Sequence, residues 1–285
     1  MTRTNDRFGV WERCRELPAM SAPVALTIAG SDPSGGAGIE ADLKTFSALG
    51  VYGATVITAL TAQNTKGVFG IHDVPADFVA AELNAVFTDL DPGAVKIGML
   101  ANAATIGVII AALDRYQPRN VVLDPVIIAT SGKKLLRGDA LGPLRELIAR
   151  ARVVTPNLPE AGVLLDRTPA GDEDEMRAQA QQLLGLGAGA VFIKGGHGSG
   201  PESVDFLLEA GGEALRLAAP RVATKNTHGS GCTLSSAIAA GLAKGLPLQA
   251  AAKEAKAYVS AAIAAADRLG VGSGRGPLHH FHARW

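Results

Sequence analysis

The sequence predicts an α/β fold in which helices cover both sides of a mostly parallel sheet. Six short runs rich in β-branched residues alternate with segments of helical periodicity, and each run ends near Gly, Pro, Asp or Asn. The runs span residues 24–30, 52–60, 94–100, 120–126, 152–157 and 190–196. In the segments 76–90 and 173–187, apolar residues recur every three or four positions. Strands that alternate with one-sided helices predict βαβ units and a parallel sheet.

The segment 203–220 departs from this alternation. It contains two strand-like runs around Gly211-Gly212, which predicts an antiparallel hairpin at one edge of the sheet. No linker or repeat divides the chain, so we expect one domain over residues 23–285. The first 22 residues read as an extension outside the fold.

Composition narrows the classes of partner. The chain has 285 residues, 27 basic and 27 acidic, and therefore no net charge to attract nucleic acid or a membrane surface. The two cysteines, Cys14 and Cys232, are far apart in the sequence, which favours a reducing compartment over a disulfide framework. We expect a cytoplasmic protein that acts on small molecules.

A glycine-rich turn follows the first strand in "AGSDPSGGAGIEADLKTF", residues 29–46. Gly36, Gly38 and Ala41 fit a dinucleotide-binding pattern, but the acidic residue expected about 20 positions later is missing. The turn would bring backbone N–H groups close to a small ligand beside Gly30. A plain strand-to-helix turn is the alternative.

Polar side chains follow the second strand. Gln63 and Asn64 offer amides that suit the edge of an aminopyrimidine or a pyridine, or they belong to an ordinary surface loop. Asp42, early in the first helix, is either a substrate ligand or a carboxylate placed favourably against the helix dipole.

Two further strand ends carry oxygen ligands. In "TPNLPEAG", Asn157 and Glu160 either cap a helix or help hold Mg²⁺ through water. Asp124 adds a carboxylate to the same edge of the sheet. Either a magnesium site or a simple helix cap fits this spacing.

A phosphate site is predicted near the end of the chain. Gly229 to Cys232 lead into a helix whose first N–H groups and dipole favour an anion. Lys194, at another strand end, places a cation near a phosphate or extends out of the sheet to solvent. The sequence has no P-loop motif, so a kinase site here belongs to another class.

Seven motifs together carry a family resemblance: "LTIAGSDPSGGAGIEADLKTFSALG", "VITALTAQNT", "KIGML", "TPNLPEA", "KGGH", "TKNTHGSGCTLS" and "GPLHHFH". They resemble hydroxymethylpyrimidine/phosphomethylpyrimidine kinases of thiamin biosynthesis, in the ribokinase-like superfamily. The likeness runs from about Val24 to the C-terminus. It implies a ribokinase-like three-layer αβα fold and two successive ATP-dependent phosphorylations of 4-amino-5-hydroxymethyl-2-methylpyrimidine, first to the monophosphate and then to the diphosphate.

The resemblance also implies roles for individual residues. Gln63 matches the family's pyrimidine-contacting glutamine, and Asp42 and Met99 match residues that line the same pocket. We expect Gly30, at the end of the first strand, to bind the substrate with them. Asn157 and Glu160 match an NxxE element for magnesium and phosphate, and Asp124 is expected to join them. The residues expected near the ATP phosphates are Lys194, Lys225, Thr227 and Ser230.

Cys232 stands where sugar kinases of the superfamily have an aspartate base. The helix N-terminus would lower the pKa of the thiol, which makes a thiolate base possible near neutral pH. Alternatively, the amides from Gly229 to Cys232 stabilise charge on the transferred phosphoryl group and the thiol is a small tolerated residue. Ser230 replaces the threonine of the family pattern and keeps its hydroxyl.

Three other functions stay open on the sequence: a pyridoxal kinase, a dinucleotide-dependent oxidoreductase, and a non-catalytic pyrimidine-binding protein. We expect Mg²⁺ and ATP as cofactor and co-substrate and a second copy of the chain as a partner. Residues 129–139, which contain glycine and basic residues, are a candidate lid.

Overall fold

The computed structural model describes residues 22–128, 132, 135–196, 198 and 200–285. Eight of its strands form one sheet in the order β10-β9-β8-β7-β6-β5-β1-β2. These strands are β1 (Val24–Ala29), β2 (Tyr52–Ile57), β5 (Ala94–Ile97), β6 (Val121–Leu123), β7 (Val153–Val154), β8 (Ala190–Lys194), β9 (Glu202–Glu209) and β10 (Leu215–Pro220).

The sheet is parallel from β2 to β8, and β9 and β10 extend it as an antiparallel edge hairpin. The predicted fold class and edge hairpin are therefore confirmed. β1 pairs with β2 on one side and with β5 on the other, so the strand order reverses direction at β1. Ligands of open α/β sheets bind beyond the carboxyl ends of the strands at such a switch point.

The predicted strand 52–60 is two strands rather than one. The structure ends β2 at Ile57 and begins β3 (Ala59–Asn64), which pairs with β4 (Gly67–Asp73) in a separate antiparallel sheet. Thr58 makes the break: its N–H donates to Ala29 O and its hydroxyl to Met99 O, at 3.0 and 2.8 Å. Periodicity could not show this break because apolar residues continue through it.

Helices lie on both faces of the large sheet, as the alternation predicts. One face carries α2 (Ala76–Phe87), α3 (Ala103–Tyr116), α4 (Leu141–Ile148), α5 (Leu158–Leu165) and α6 (Glu173–Leu184). The other carries α1 (Gly38–Ala48), α7 (Ser230–Ala243) and α8 (Leu248–Ala264). Two short 3₁₀ helices span Gly138–Ala140 and Ala266–Arg268.

Among the described helices, none has the length and apolarity that a membrane crossing requires. The predicted extension lies outside the described residues apart from its last residue, as do Cys14 and much of the candidate lid.

Candidate functional site

A cavity of about 600 Å³ opens at the carboxyl edge of the large sheet. Twelve of the fourteen residues that the sequence nominates line it; Asp42 and Lys225 do not. The twelve are Gly30, Gln63, Met99, Asp124, Asn157, Glu160, Lys194, Thr227, Gly229, Ser230, Gly231 and Cys232.

Two glycine turns meet at the floor of this cavity. Gly229, which has a φ of 79°, caps the N-terminus of α7, and a Cβ there would lie 1.8 Å from the carbonyl oxygen of Gly36. The glycine turn after β1 and the turn before α7 therefore pack backbone against backbone. The first amides of α7, including those of Gly231 and Cys232, have no carbonyl of their own helix to bond, so this end of the helix suits an anion.

The glycine turn after β1 is organised by Asp32, which the sequence analysis did not assign. Its carboxylate, 1% exposed, accepts hydrogen bonds from Ser34 N and Oγ, Gly36 N and Ala37 N, at 2.7–3.2 Å. His228 Nε2 lies 2.7 Å from its Oδ2 atom. Burial would raise the pKa of Asp32, but the hydrogen bonds from His228 and Ser34 lower it to about 2.

A lysine and two carboxylates converge in the middle of the cavity. Lys194 Nζ lies 2.7 Å from Asp124 Oδ1 and 4.0 Å from Glu160 Oε2. Burial raises the pKa of Glu160, an effect that Lys194 opposes and Asp124 reinforces. The cluster consists of one ammonium group and two carboxyl groups. When both carboxyl groups are ionised, its net charge is −1, which another cation can balance.

This donor set fits Mg²⁺. Within the described residues no group of three His, Cys, Asp or Glu side chains forms a ready-made metal cage. Mg²⁺ usually keeps several waters and binds through one or two carboxylates and the phosphates of its substrate. Asp124 and Glu160, which both line the cavity, offer those two carboxylates.

Asn157 and Glu160 also form the helix cap that was the alternative interpretation. Asn157 Oδ1 accepts from Glu160 N at 2.8 Å, and Glu160 Oε2 accepts from Asn157 N at 2.9 Å, a complete capping box for α5. The cap fixes both side chains at the edge of the cavity. One arrangement therefore serves the helix and presents oxygen atoms to a ligand.

Cys232 lies half-buried in the first turn of α7. Burial raises the pKa of its thiol to about 11, although Lys96 and the Gly38 N–H lower it. Of the two interpretations that the sequence left open, this raised pKa favours the small tolerated residue over a thiolate base near neutral pH. The carboxylates of Asp124 and Asp42 act in the same direction as burial, because they disfavour another negative charge nearby.

Asp42 lies behind the cavity wall, with no exposed surface. It accepts from Thr27 Oγ1, Lys96 Nζ and Ser236 Oγ, at 2.6, 2.8 and 2.6 Å. These bonds join β1, α1, β5 and α7. Because its oxygens are already occupied by the protein, the structure gives Asp42 no direct contact with the cavity. Its partner Lys96 borders the cavity but has no exposed side-chain surface.

Lys225 is exposed and lines a neighbouring cavity of about 590 Å³, beside the turn between β3 and β4. Gln63, His228 and Arg275 border both cavities. Lys225 is therefore separated from the Lys194 cluster, and its predicted place near the ATP phosphates stays a prediction.

Three apolar side chains, Val222, Val259 and Ile263, also line the main cavity; Val222 follows β10, and α8, which carries the other two, packs on β10. A further buried ion pair lines the same cavity, with Lys256 Nζ 2.7 Å from Asp205 Oδ2. Asp205 also accepts from Gly195 N at 2.8 Å. An apolar slot of this kind beside oriented polar groups is typical of a small-molecule or cofactor site.

The sequence analysis missed Asp32, His228, Lys96 and the Asp205–Lys256 pair. Two of them carried a readable signal: "SDPSG" has the Asp and Ser spacing of an Asx turn, and Lys96 is a charge inside an apolar strand. The partner of Lys96 is 54 residues away in the chain and the partner of Asp32 is 196 away. Such pairs become visible only in the folded chain.

Comparison with known protein families matches residues 32–279 to the model described as "Phosphomethylpyrimidine kinase". The chain is 59% identical over 263 residues to the hydroxymethylpyrimidine/phosphomethylpyrimidine kinase of Rhizobium meliloti, and 53% identical over 262 residues to that of Escherichia coli. Each match covers 92% of this chain and 98% of the relative.

Solved structures give the same family and a related one. A Bacillus subtilis pyridoxal kinase, solved as an ADP complex, has a TM-score of 0.86 and 36% identity, over 93% of this chain and 99% of that one. The phosphomethylpyrimidine kinase of Clostridium difficile has a TM-score of 0.74 and 44% identity, over 84% and 99%.

Proposed function

The chain belongs to the hydroxymethylpyrimidine/phosphomethylpyrimidine kinase family, and from that premise we propose which residues carry each part of the reaction. The protein is an ATP-dependent kinase of thiamin biosynthesis that phosphorylates hydroxymethylpyrimidine and then its monophosphate. One observation supports the assignment of residues most. A single cavity is lined by Gln63 and Met99, by the Lys194 cluster and the α7 turn, and by the apolar side chains of the slot.

The pyrimidine binds at the end lined by Gly30, Gln63 and Met99. A Cβ on Gly30 would lie 3.2 Å from Met99 Sδ, so a side chain there would press on the methionine and narrow the slot. The Gln63 amide supplies hydrogen bonds to the ring edge. The nucleotide ring occupies the slot beside Val222 and Val259, which places its phosphates towards the middle of the cavity.

The phosphates meet the turn from Gly229 to Cys232. Amides at the N-terminus of α7 and the Lys194 ammonium point positive charge at a transferring phosphoryl group, and such preorganised donors are usually the largest contribution to catalysis. Thr227 and Ser230 line the same wall and add hydroxyl donors. Phosphoryl transfer needs mainly positioning and charge stabilisation, which these groups provide.

The carboxylates of Asp124 and Glu160, with Asn157 in the same cavity, would hold Mg²⁺. The ion would supply charge neutralisation on the phosphate oxygens. Glu160 must be ionised for this role. Its raised pKa opposes that ionisation, and a cation bound beside it would lower the pKa again.

The second phosphorylation joins two anions, because its acceptor is already a phosphate. Lys194 lines the main cavity and would lie near both phosphate groups, and Lys225 lines the neighbouring cavity. We expect the second step to depend on these charges more than the first.

Cys232 acts as a neutral thiol on this proposal. With a pKa raised to about 11, it is a poor general base at neutral pH. Its place in the first turn of α7 instead keeps a small side chain beside the transferring group, so that the backbone amides can approach it.

The test is a mass-spectrometric time course with ATP, Mg²⁺ and hydroxymethylpyrimidine, run beside pyridoxal and beside the Cys232→Ser variant. We expect the monophosphate and then the diphosphate, slower turnover of pyridoxal, and a loss of less than about tenfold in Cys232→Ser. A loss in the variant of several thousandfold would overturn the role given to the thiol. Faster turnover of pyridoxal, which the similarity to pyridoxal kinases makes the relevant rival, would overturn the substrate assignment.

Three broader expectations stay proposals. We propose that residues 23–285 form one catalytic domain, that the protein is cytoplasmic, and that it forms a homodimer. The exposed apolar residues Leu60 and Phe69 on the β3–β4 hairpin, 48% and 67% exposed, support a dimer. Light scattering of the wild type and of Phe69→Lys measures it: a dimer that dissociates in the variant is expected, and a monomeric wild type contradicts it.

A further inference from the structure

We propose that Asp32 and His228 act as a positioning pair that fixes the orientation of the Gln63 amide and thereby selects the ring edge that the cavity accepts. Gln63 Nε2 lies 3.2 Å from His228 Nε2, which lies 2.7 Å from Asp32 Oδ2. The inference rests on the proposal that Gln63 contacts the pyrimidine, and it adds residues that this proposal does not use.

Asp32 determines the role of the histidine. Its carboxylate is buried and accepts four hydrogen bonds from its own turn, so it is ionised and acts only as an acceptor. An Nε2 atom 2.7 Å from that oxygen must therefore carry a hydrogen. This holds for the neutral Nε2–H tautomer and for the imidazolium alike, so His228 Nε2 is a donor in either state.

A donor at His228 Nε2 restricts Gln63. The amide NH₂ cannot donate to a nitrogen that already carries a hydrogen, whereas the amide oxygen can share that hydrogen with Asp32 Oδ2 in a three-centre hydrogen bond. The oxygen and nitrogen of a glutamine amide exchange places by a half-turn of the side chain, and the hydrogen-bond network decides between them. The network here favours Gln63 Oε1 facing His228.

Thr61 satisfies the other end of the amide. Its hydroxyl donates to Ser31 O at 2.9 Å, which leaves its lone pairs able to accept. The Gln63 amide atom on that side lies 3.4 Å from Thr61 Oγ1. With the amide turned, NH₂ gives one hydrogen towards Thr61 and keeps a second for a ligand.

The Gln63 amide hydrogen that does not point towards Thr61 determines which class of ring can bind. A fixed N–H donor selects a ring that presents an unprotonated nitrogen, as an aminopyrimidine does. A ring edge that offers a hydrogen at the same place leaves two donors facing each other and is rejected. The Asp32–His228 pair is thus a specificity-determining element that need not touch the substrate.

Two nearly isosteric variants test this. His228→Met removes the donor and His228→Gln retains an N–H at the end of an unbranched side chain. We expect the KM for hydroxymethylpyrimidine to rise about tenfold in His228→Met and to return to within about threefold of wild type in His228→Gln, with the KM for ATP changed less than about twofold. His72→Met, which replaces an exposed histidine on β4, is the matched control.

A double-mutant cycle separates this effect from general damage to the turn. If His228 acts through Gln63, then adding His228→Met to Gln63→Met raises the pyrimidine KM no further. Additive effects, or equal rises in the KM for ATP and pyrimidine, overturn the inference. A Gln63→Met variant with unchanged pyrimidine KM instead overturns the role proposed for Gln63, so the two failures are distinguishable.

Discussion

Two lysine–aspartate ion pairs near the carboxyl edge of the sheet have similar N–O distances but differ in solvent exposure and in net charge. Lys96 and Asp42, 2.8 Å apart, have no exposed side-chain surface. Lys194 and Asp124, 2.7 Å apart, are 11% and 2% exposed and have Glu160 beside them. In the first pair the two opposite charges balance, and two hydroxyl groups also donate to the carboxylate. In the second, Glu160 adds another carboxylate to the one lysine, and the lysine is partly exposed.

This difference distinguishes the Lys96 pair, whose charges stabilise the fold, from the Lys194 pair, whose charges are available to a ligand. Burial would lower the pKa of Lys96, but Asp42 holds it above its ordinary value, so the pair stays ionised with nothing left to bind. The pKa of Lys194 is raised in the same way, by Asp124 and Glu160 against the effect of burial. When Asp124 and Glu160 are both ionised, this cluster carries one net negative charge, which a cation bound with the ligand can balance. A charged residue in a cavity is thus a candidate for function when its charge is left unbalanced.

The largest expected effect is on stability, from Lys96→Met. Removing one partner of a fully buried pair leaves Asp42 as an uncompensated charge, so we expect the free energy of unfolding to fall by about 3–5 kcal/mol. Urea unfolding measures it. The double variant Lys96→Met/Asp42→Asn removes the stranded charge and should recover part of the loss; no recovery would contradict this account of the pair.

The second effect is on turnover, from Lys194→Ala. We expect phosphorylation of the monophosphate to fall about 100-fold and the first phosphorylation about tenfold, because only the second joins two anions. The loss of stability should be smaller than in Lys96→Met, because both carboxylates line the cavity and Glu160, whose pKa is already raised by burial, can take up a proton when Lys194 is absent. Rapid-quench measurement of each step gives the two rates, with Lys253→Ala, an exposed lysine on α8, as the control. Equal losses in both steps, or a stability loss like that of Lys96→Met, would remove the contrast between the pairs.

The smallest effect is a pH dependence carried by Glu160. Its pKa in the folded protein is raised above the ordinary 4.5, so the protonated carboxyl stabilises the fold below that pH, and this stabilisation is lost as the pH rises through the raised pKa. Glu160→Gln keeps the capping box and removes the titration.

Without Mg²⁺, the unfolding free energy of the wild type should fall relative to Glu160→Gln by roughly 1 kcal/mol per pH unit over that range. Urea unfolding of both proteins between pH 4 and 8 measures the difference. Parallel curves would show that Glu160 does not titrate there. Added Mg²⁺ should flatten the wild-type curve, because a bound cation favours the ionised carboxylate.

The sequence predicted the parallel sheet, its edge hairpin and twelve of the residues that line the cavity, because strand ends are marked locally by Gly, Asp and Asn. It did not predict the separate β3–β4 sheet, since the break at Thr58 depends on bonds to Ala29 and Met99, remote in the chain. The family resemblance placed Asp42 in the pocket, and its buried bonds to Thr27, Lys96 and Ser236 appear only in the folded chain. A lowered thiol pKa was one of two interpretations of Cys232, and burial near two carboxylates raises that pKa instead.

The contact between Gly36 and Gly229 also limits how this protein can evolve. A side chain at position 229 would collide with the Gly36 carbonyl oxygen, which is main chain and is therefore carried by every amino acid. A bulky side chain that causes a clash can be trimmed by a compensating mutation elsewhere, but a peptide carbonyl cannot. Position 229 therefore has no second-site suppressor at position 36, and a lineage that alters this turn must rebuild the loop by insertion or deletion.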